Sequence, residues 1–460
     1  MSMERLWRTG IVTLVLAFVT GCPTTSKPPP PGEFPFTVEP TLVDTVWRVR
    51  PPLEGTHRLE YGLGDVDTHT EPFASSERLL ALHTGDWWVR VRTTDADGVE
   101  HVSDTAEVSV PELPEGLAPF EVLTQGASAE MSERWLLVNQ YDPETERSWA
   151  SLVDGDGRHR WYLEAPQGEL KLHRVRLDPG GDGVWWSGYH WWREEDRGTI
   201  VHTAWDGTER TRFAAEQEHH DFVVHDDGSV AWLSWVFDDT PMPGAEGPTA
   251  ADAVRVRSPQ GETSIAFSML KDYPRDPSVP CGHALRQKYL PGYNEWSHSN
   301  SLVWEPVEDV WWVLARYLDQ ILIIDRATGA LKRRIGGAGS DVLFDGLAFD
   351  HGHFSEAWED GALVFDNRNH DEARGSRVVE YAFADGVAEE VWSYAQPDGL
   401  RVGFLGDARR LPGGNRLIVW SNMGRVEEVT PQGQVVWGIE TLDTVGRGWT
   451  EPAQALRTGG

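Results

Sequence analysis

The sequence predicts an all-β protein: a six-bladed β-propeller preceded by a small β-sandwich. Two recurrences carry this expectation. In the first, a histidine opens a segment that runs to a tight turn and then climbs an apolar strand. The copies are His173 (HRVRLDPGGDGVWWSGY), His220 (HDFVVHDDGSVAWLSW), His298 (HSNSLVWEPVEDVWWVLAR) and His353 (HFSEAWEDGALVFDNR), with Asp407 (DARRLPGGNRLIVWSN) opening a fifth. In the second, a strand reaches Asp-Gly or a similar turn and returns through aromatic or β-branched residues. These copies are SLVDGDGRHRWYL, VHTAWDGTERTRF, VRVRSPQGETSIAF, LIIDRATGALKRRI, VEYAFADGVAEEVW and VEEVTPQGQVVWGI. The turns make each a hairpin, and alternation of the two hairpin types gives the four-stranded unit of a propeller. The six copies predict six blades, or seven should the C-terminal residues pair with a further strand; the first inner hairpin, near WLLVNQYD, is the least regular. Equivalent positions of successive blades lie on a ring, so the recurring histidines face one another across the channel.

Residues 1–22 read as a processing signal. Arg5 and Arg8 precede an apolar run, Ile11 to Thr20, that is too short to span a bilayer. It ends in Val19-Thr20-Gly21-Cys22, which looks like a bacterial lipobox with Cys22 as the lipidated new N-terminus. An ordinary signal peptide that contains a Cys is the alternative. Residues 23–33 (PTTSKPPPPGE) form a proline-rich tether. The expected location is therefore the bacterial cell envelope, with the membrane reached only through the lipid anchor. The lack of Asp after Cys22 favours the outer membrane in a host that has one.

Residues 34–112 alternate apolar and polar with period two (TVWRVR, HRLEYG, DWWVRVRTTDADG) between Gly, Pro and Asp turns. This predicts a sandwich of fibronectin type III or immunoglobulin kind, with Trp87 in the core and Trp88 as its surface neighbour. Pro111 to Pro119 is the linker, and residues 119–460 are the propeller. The Pro- and Gly-rich stretch from Asp238 to Glu295 is expected to fold over the channel mouth as a lid.

The 460 residues suit two domains, and the net charge of −32 excludes nucleic acid as a partner, because phosphate binding needs a basic face. With Cys22 lipidated, Cys281 is the only thiol, so no intramolecular disulfide forms. Core burial must carry stability instead.

From Glu218 to Trp437 the stretches HHDF, WSHSNSLVWEP, VLARYLDQILIIDRATG, ALVFDNRN and GDARRLPGGNRLIVWSNMGRVEEVTPQG resemble the arylsulfate sulfotransferases of bacterial cell envelopes. The more specific element is His-x-Asn followed by an Arg at the end of the paired strand. The resemblance implies a six-bladed propeller with sulfate-binding residues in its channel. It implies transfer of a sulfuryl group from a phenolic sulfate ester to an acceptor phenol through a sulfated histidine. No nucleotide sulfate donor, other cofactor or metal is expected. By motif the nucleophile maps onto His353, although Gly352 stands where the family pattern has Gln, which leaves His351 as the fallback. His298 and Asn300 match the His-x-Asn, Arg316 the strand-end arginine, and His220 the first active-site histidine.

The residue chemistry agrees with such a set. Imidazole is a nucleophile near neutral pH at its ordinary pKa. The guanidinium of Arg316 offers a planar fork to sulfuryl oxygens, and His220, His298 and Asn300 offer further N–H groups. Tryptophans near the mouth would stack on aromatic rings. A lone strand-initiating His is more often a packing residue, but recurrence at one register is not required by packing. His173 is expected to line the channel without a family role, and Asn367 to be structural. Two other functions compete. One is a non-catalytic propeller lipoprotein that binds a protein or an anionic ligand. The other is a metallohydrolase, weakened by the absence of acidic residues beside the histidines in these motifs. The sequence leaves the oligomeric state open.

Overall fold

The computed structural model describes residues 36–51, 53–63, 67–166, 171–189, 198–242, 246–274, 290, 292–371, 373–446 and 448–452. Cys22, Cys281, the signal and the tether lie outside these residues. Among the described residues there is no α-helix, only strands and three short 3-10 turns. None of them forms a helix long and apolar enough to cross a membrane.

The chain divides into two compact units. Residues up to 39, 49–78 and 86–109 make the smaller, and 40–48, 79–85 and 110–460 the larger. A five-stranded sheet holds Asp67–Phe73, Thr56–Leu63, Gly85–Thr94 and Glu100–Val102 in that order, with Ala106–Val110 also on Gly85–Thr94. The period-two pattern of DWWVRVRTT gives its burial: Trp87, Val89 and Val91 point inward, while Trp88 stays half-buried. Thr37–Pro40, Val46–Arg50 and Arg78–Ala81 form a separate three-stranded sheet.

In the larger unit the described residues form six sheets, and every one of the six predicted outer hairpins is antiparallel. The second sheet runs Lys171–Leu177, Gly183–Tyr189, Gly198–Ala204, Glu209–Ala215 from inside to outside; the third begins with Glu218–Val224, the fourth with Ser299–Glu305, the fifth with His353–Trp358 and the sixth with Asp407–Arg410. These first strands lie side by side in chain order. Each neighbouring pair of sheets shares an apolar core. Leu233 and Trp311 meet between the third and fourth, Leu314 and Val364 between the fourth and fifth, and Val138 and Trp437 between the sixth and the first. This is the propeller arrangement, and it accounts for the tryptophans. Trp161, Trp205, Trp232, Trp311, Trp420 and Trp437 are fully buried in these wedges, most with the indole N–H on a carbonyl or carboxylate.

Two closures lock the ring. Glu121–Gln125 pairs with the outermost strand of the sixth sheet, Val435–Glu440. The C-terminal Thr444–Val445 and Trp449–Pro452 pair with Arg134–Tyr141 and become the inner edge of the first sheet. The first inner hairpin is irregular in sequence for this reason: its inner strand comes from the other end of the chain, so the C-terminal residues complete a sheet rather than start a further blade. The expected lid is also reduced. Thr249–Arg257 and Thr263–Ser268 are the outer strands of the third sheet, and Asn294–Glu295 pairs in parallel with the first of them. Residues 275–289 lie outside the described residues. Val43, Val46, Leu79 and Ala81 join the core between the first two sheets, against Leu137, Trp161 and Val175.

Candidate active site

The inner strands do not run regularly past the axis. Register slips leave His173 and Asn300 as extra residues, and two extra residues fall between Glu218 and Phe222. Such bulges bend a strand and re-aim a side chain, here at His173, around His220 and two residues after His298. His220 and His298 hold φ of 60° and 46°, left-handed values that a residue with a Cβ adopts only under constraint.

The result is convergence. A cavity of ≈ 390 Å³ is lined by His173, His220, Asn300 and His353, together with Tyr141, Lys171, Arg174 and Phe404. The rings of His173 and His220 are 5.5 Å apart and those of His220 and His298 4.9 Å apart, edge to face. His298 lies behind His220 rather than on the cavity wall, stacked at 4.7 Å on Tyr317. Arg316 follows the strand Val310–Ala315 in a 3-10 turn; its guanidinium donates to Gly403 O at 3.2 Å and is outside the cavity lining. Asn300 Nδ2 donates to Gly352 O at 3.1 Å. His351 is buried away from the cavity, between Tyr317 and His370. Among the described residues no tryptophan lines the cavity, where Tyr141 and Phe404 are the aromatic side chains.

Each histidine has a distinct partner. His353 Nδ1 is 2.7 Å from Asn367 Oδ1, and its Nε2 accepts the Leu405 N–H at 3.1 Å. Asn367, expected to be structural, holds the ring of His353; the signal available for that contact was its place at the end of the strand paired with that of His353. His298 Nδ1 lies 2.6 Å from Glu295 Oε1, both groups buried. The acidic neighbour that the motifs were read as lacking is thus three residues upstream. His220 Nδ1 meets His219 Nδ1 at 2.9 Å, and His219 Nε2 is 3.2 Å from Asp252 Oδ1. Burial alone would push Asp252 up, but His219, the Ser297 hydroxyl and the Ser299 N–H outweigh it and hold the carboxylate below its usual range. His220 is driven far below the ordinary imidazole value by burial first, then by His298, His219, His173 and His353, so it stays neutral.

Lys171 and Arg174 bring positive charge to the cavity lining, with Glu146 3.5 Å from Lys171 Nζ and Asp221 2.9 Å from Arg174 Nε. Lys171 reaches the cavity from Tyr141, whose hydroxyl it contacts at 2.9 Å. Arg174 and Arg176 share Asp221, which also accepts the Leu302 N–H and so ties the second, third and fourth sheets together.

Two family models match the chain, each described as arylsulfotransferase (ASST): one over residues 121–340 and one over 269–441. No curated protein matches it. Among solved structures, a Bacteroides caccae protein of unknown function is 14% identical, covering 69% of this chain and 99% of that one with a TM-score of 0.41. The periplasmic gluconolactonase of Pseudomonas aeruginosa is 14% identical over 86% of this chain and 99% of that one, at 0.37. An auxiliary nutrient-binding protein of Bacteroides ovatus is 13% identical over 93% and 98%, at 0.36. The two family matches overlap and together run from residue 121 to 441, through the segments that carry His173, His220, His298, Arg316 and His353, and the chain belongs to the arylsulfotransferase family.

Proposed function

We propose that the protein moves a sulfuryl group from a phenolic sulfate ester to an acceptor phenol through a covalent adduct on His353. The observation that carries this reading is the pairing of His353 with Asn367 at the cavity wall. Asn367 Nδ2 donates to Val402 O and Leu405 O, so its oxygen faces the ring, the proton sits on Nδ1 and the lone pair on Nε2.

In the first half, Nε2 exchanges the Leu405 N–H for substrate and attacks sulfur, the N–S bond forms and the S–O(aryl) bond breaks. His298, with Nδ1 on the Glu295 carboxylate and its ring 4.9 Å from that of His220, gives the leaving phenolate its proton once substrate binding opens a path past His220. In the second half the same imidazole takes the proton of the incoming phenol, whose oxygen attacks sulfur and breaks the N–S bond. Neutral His220, Asn300 and Arg316 serve the sulfuryl oxygens as donors, for which Arg316 exchanges Gly403 O for substrate. Tyr141, Phe404 and Leu172 give the aryl ring an apolar wall. In this reading the chain acts at the cell envelope, held there through Cys22.

Incubation with a chromogenic aryl sulfate, with and without a second phenol, tests the reading. Release should be fast only with acceptor, with parallel double-reciprocal plots. Equal rates without acceptor would make the protein a sulfatase, and no release would favour a binding protein.

A further inference from the structure

The turn that carries Arg316 and the loop that carries His353 bring together a second set of donor atoms, apart from the cavity. Asp319 ends the 316–318 turn, His351 precedes Gly352, and His370 lies three residues beyond Asn367. One ligand atom from each of Asp319, His351 and His370 falls within 4.8 Å of the other two. We propose that these three residues hold a divalent transition-metal cation, for which Zn²⁺ is the best chemical match. Two imidazoles and a carboxylate are the donor set such an ion prefers, whereas Ca²⁺ and Mg²⁺ favour oxygen alone.

The distances separate this from an ordinary ion pair. His370 Nδ1 is 3.6 Å from Asp319 Oδ2, too long for a hydrogen bond. Two ligands of one tetrahedral zinc, each at about 2.1 Å, stand about 3.4 Å apart. Asp350 Oδ1 is 4.0 Å from the same nitrogen, outside the group of three, and adds negative charge beside it. Backbone groups already orient the carboxylates: Asp319 Oδ1 accepts the His351 N–H at 2.7 Å, which turns Oδ2 to His370, and Asp350 Oδ1 accepts the His370 N–H at 3.0 Å. Arg316 is near enough to act on Asp319 and opposes a cation, but two carboxylates outweigh one guanidinium. A second group, Asp178, Asp182 and His202, has similar spacing. There Asp178 is committed to the Gly180 N–H and the Trp185 indole, and His202 stacks flat on Trp185.

A bound ion would clamp the three segments that supply Arg316, His353 and Asn367, without touching sulfur. The proposal does not depend on the sulfuryl-transfer reading. The full chain, stripped with chelator, is titrated with Zn²⁺ by calorimetry and with Co²⁺ by visible absorption. The expected result is one ion per chain with the strong d–d bands of a four- or five-coordinate site. Affinity should fall at least about tenfold in His370→Ala and in Asp319→Asn, and stay unchanged in His202→Ala and in His220→Ala, which probes the channel imidazoles as a rival site. His370 is the partly exposed member, so its variant keeps the fold, checked by its melting curve. Absence of saturable binding, binding that survives both His370→Ala and Asp319→Asn, or binding lost in His220→Ala would each overturn the proposal.

Discussion

His353 rests on an amide, Asn367 Oδ1 at 2.7 Å, whereas His298 rests on a carboxylate, Glu295 Oε1 at 2.6 Å. An amide fixes the tautomer of an imidazole without favouring its charged form. A carboxylate fixes the ring and also favours the imidazolium. In the proposed reaction a nucleophile must keep its lone pair and a general acid its proton, so the amide suits His353 to the first role and the carboxylate suits His298 to the second.

Replacing that amide should therefore change the pH dependence as well as the rate. Asn367→Ala removes the anchor of a buried ring and should slow transfer about tenfold or more, since an unmatched buried polar group costs roughly 1–3 kcal/mol. Asn367→Asp puts a carboxylate against Nδ1, stabilises the imidazolium and moves the acid limb of the pH–rate profile upward. An Asn367→Asp profile that overlays that of the unaltered protein would remove Asn367 from the mechanism.

Glu295→Gln and His298→Ala should act on the leaving group. Each loss should be small for aryl sulfates with acidic phenols and grow to about 10²–10⁴-fold for poor, high-pKa leaving groups. A plot of log rate against leaving-group pKa should steepen in both variants. Parallel plots would assign the proton to another residue.

His353→Ala should abolish both transfer and trapping of sulfate on the protein. His351→Ala should leave the adduct in place, because that ring faces Tyr317 and His370 rather than the cavity. Arg316→Ala should retain some turnover with a loss of about 2–4 kcal/mol in transition-state stabilisation. Mass spectrometry of the trapped protein decides between His353 and His351.

The sheets were legible because each outer hairpin is local: turn residues and β-branched runs lie within one short segment, as in VRVRSPQGETSIAF. The ring position of His173, His220 and His353 was legible because a repeat converts sequence register into spatial register. What escaped was non-local or hidden in loops. The pairing of 444–452 with 134–141 joins chain ends that share no pattern. Glu295 reads as a loop acid until a short parallel strand carries it inward beside His298. Asn367 reads as a strand-end residue until the loop 402–405 turns its oxygen onto His353. Tryptophans near the mouth were expected to stack on aryl rings, but among the described residues the wedges between twisted sheets take up Trp161, Trp205, Trp232, Trp311, Trp420 and Trp437, and Tyr141 and Phe404 line the cavity.

Glu218 opens the inner strand that carries His220, and complete burial pushes its carboxyl up to about 8, from 4.5, with Asp221 adding to the rise against Ser187. A raised folded-state pKa contributes stability that is fully present below the unfolded value and lost as pH rises through the folded one. For Glu218 that window runs from about pH 4.5 to about pH 8. At pH 7 stability is therefore about 3 kcal/mol below its value at pH under 4.5, because the unfolded chain ionises the group and the folded chain does not. The neutral histidines have the opposite sign. Burial lowers His159 to about 4, so the unfolded chain takes up a proton that the folded chain refuses, and stability falls as pH drops below 6.5. Glu218→Gln keeps the size and neutrality of the protonated acid while deleting its titration. The variant should be more stable than the unaltered protein at pH 8, and the gap should shrink steadily and close near pH 5, while the acid-side loss due to the histidines persists in both. Urea denaturation at pH 5, 6, 7 and 8 measures the gap directly. A gap that stays constant across that range would mean that Glu218 is ionised in the folded protein.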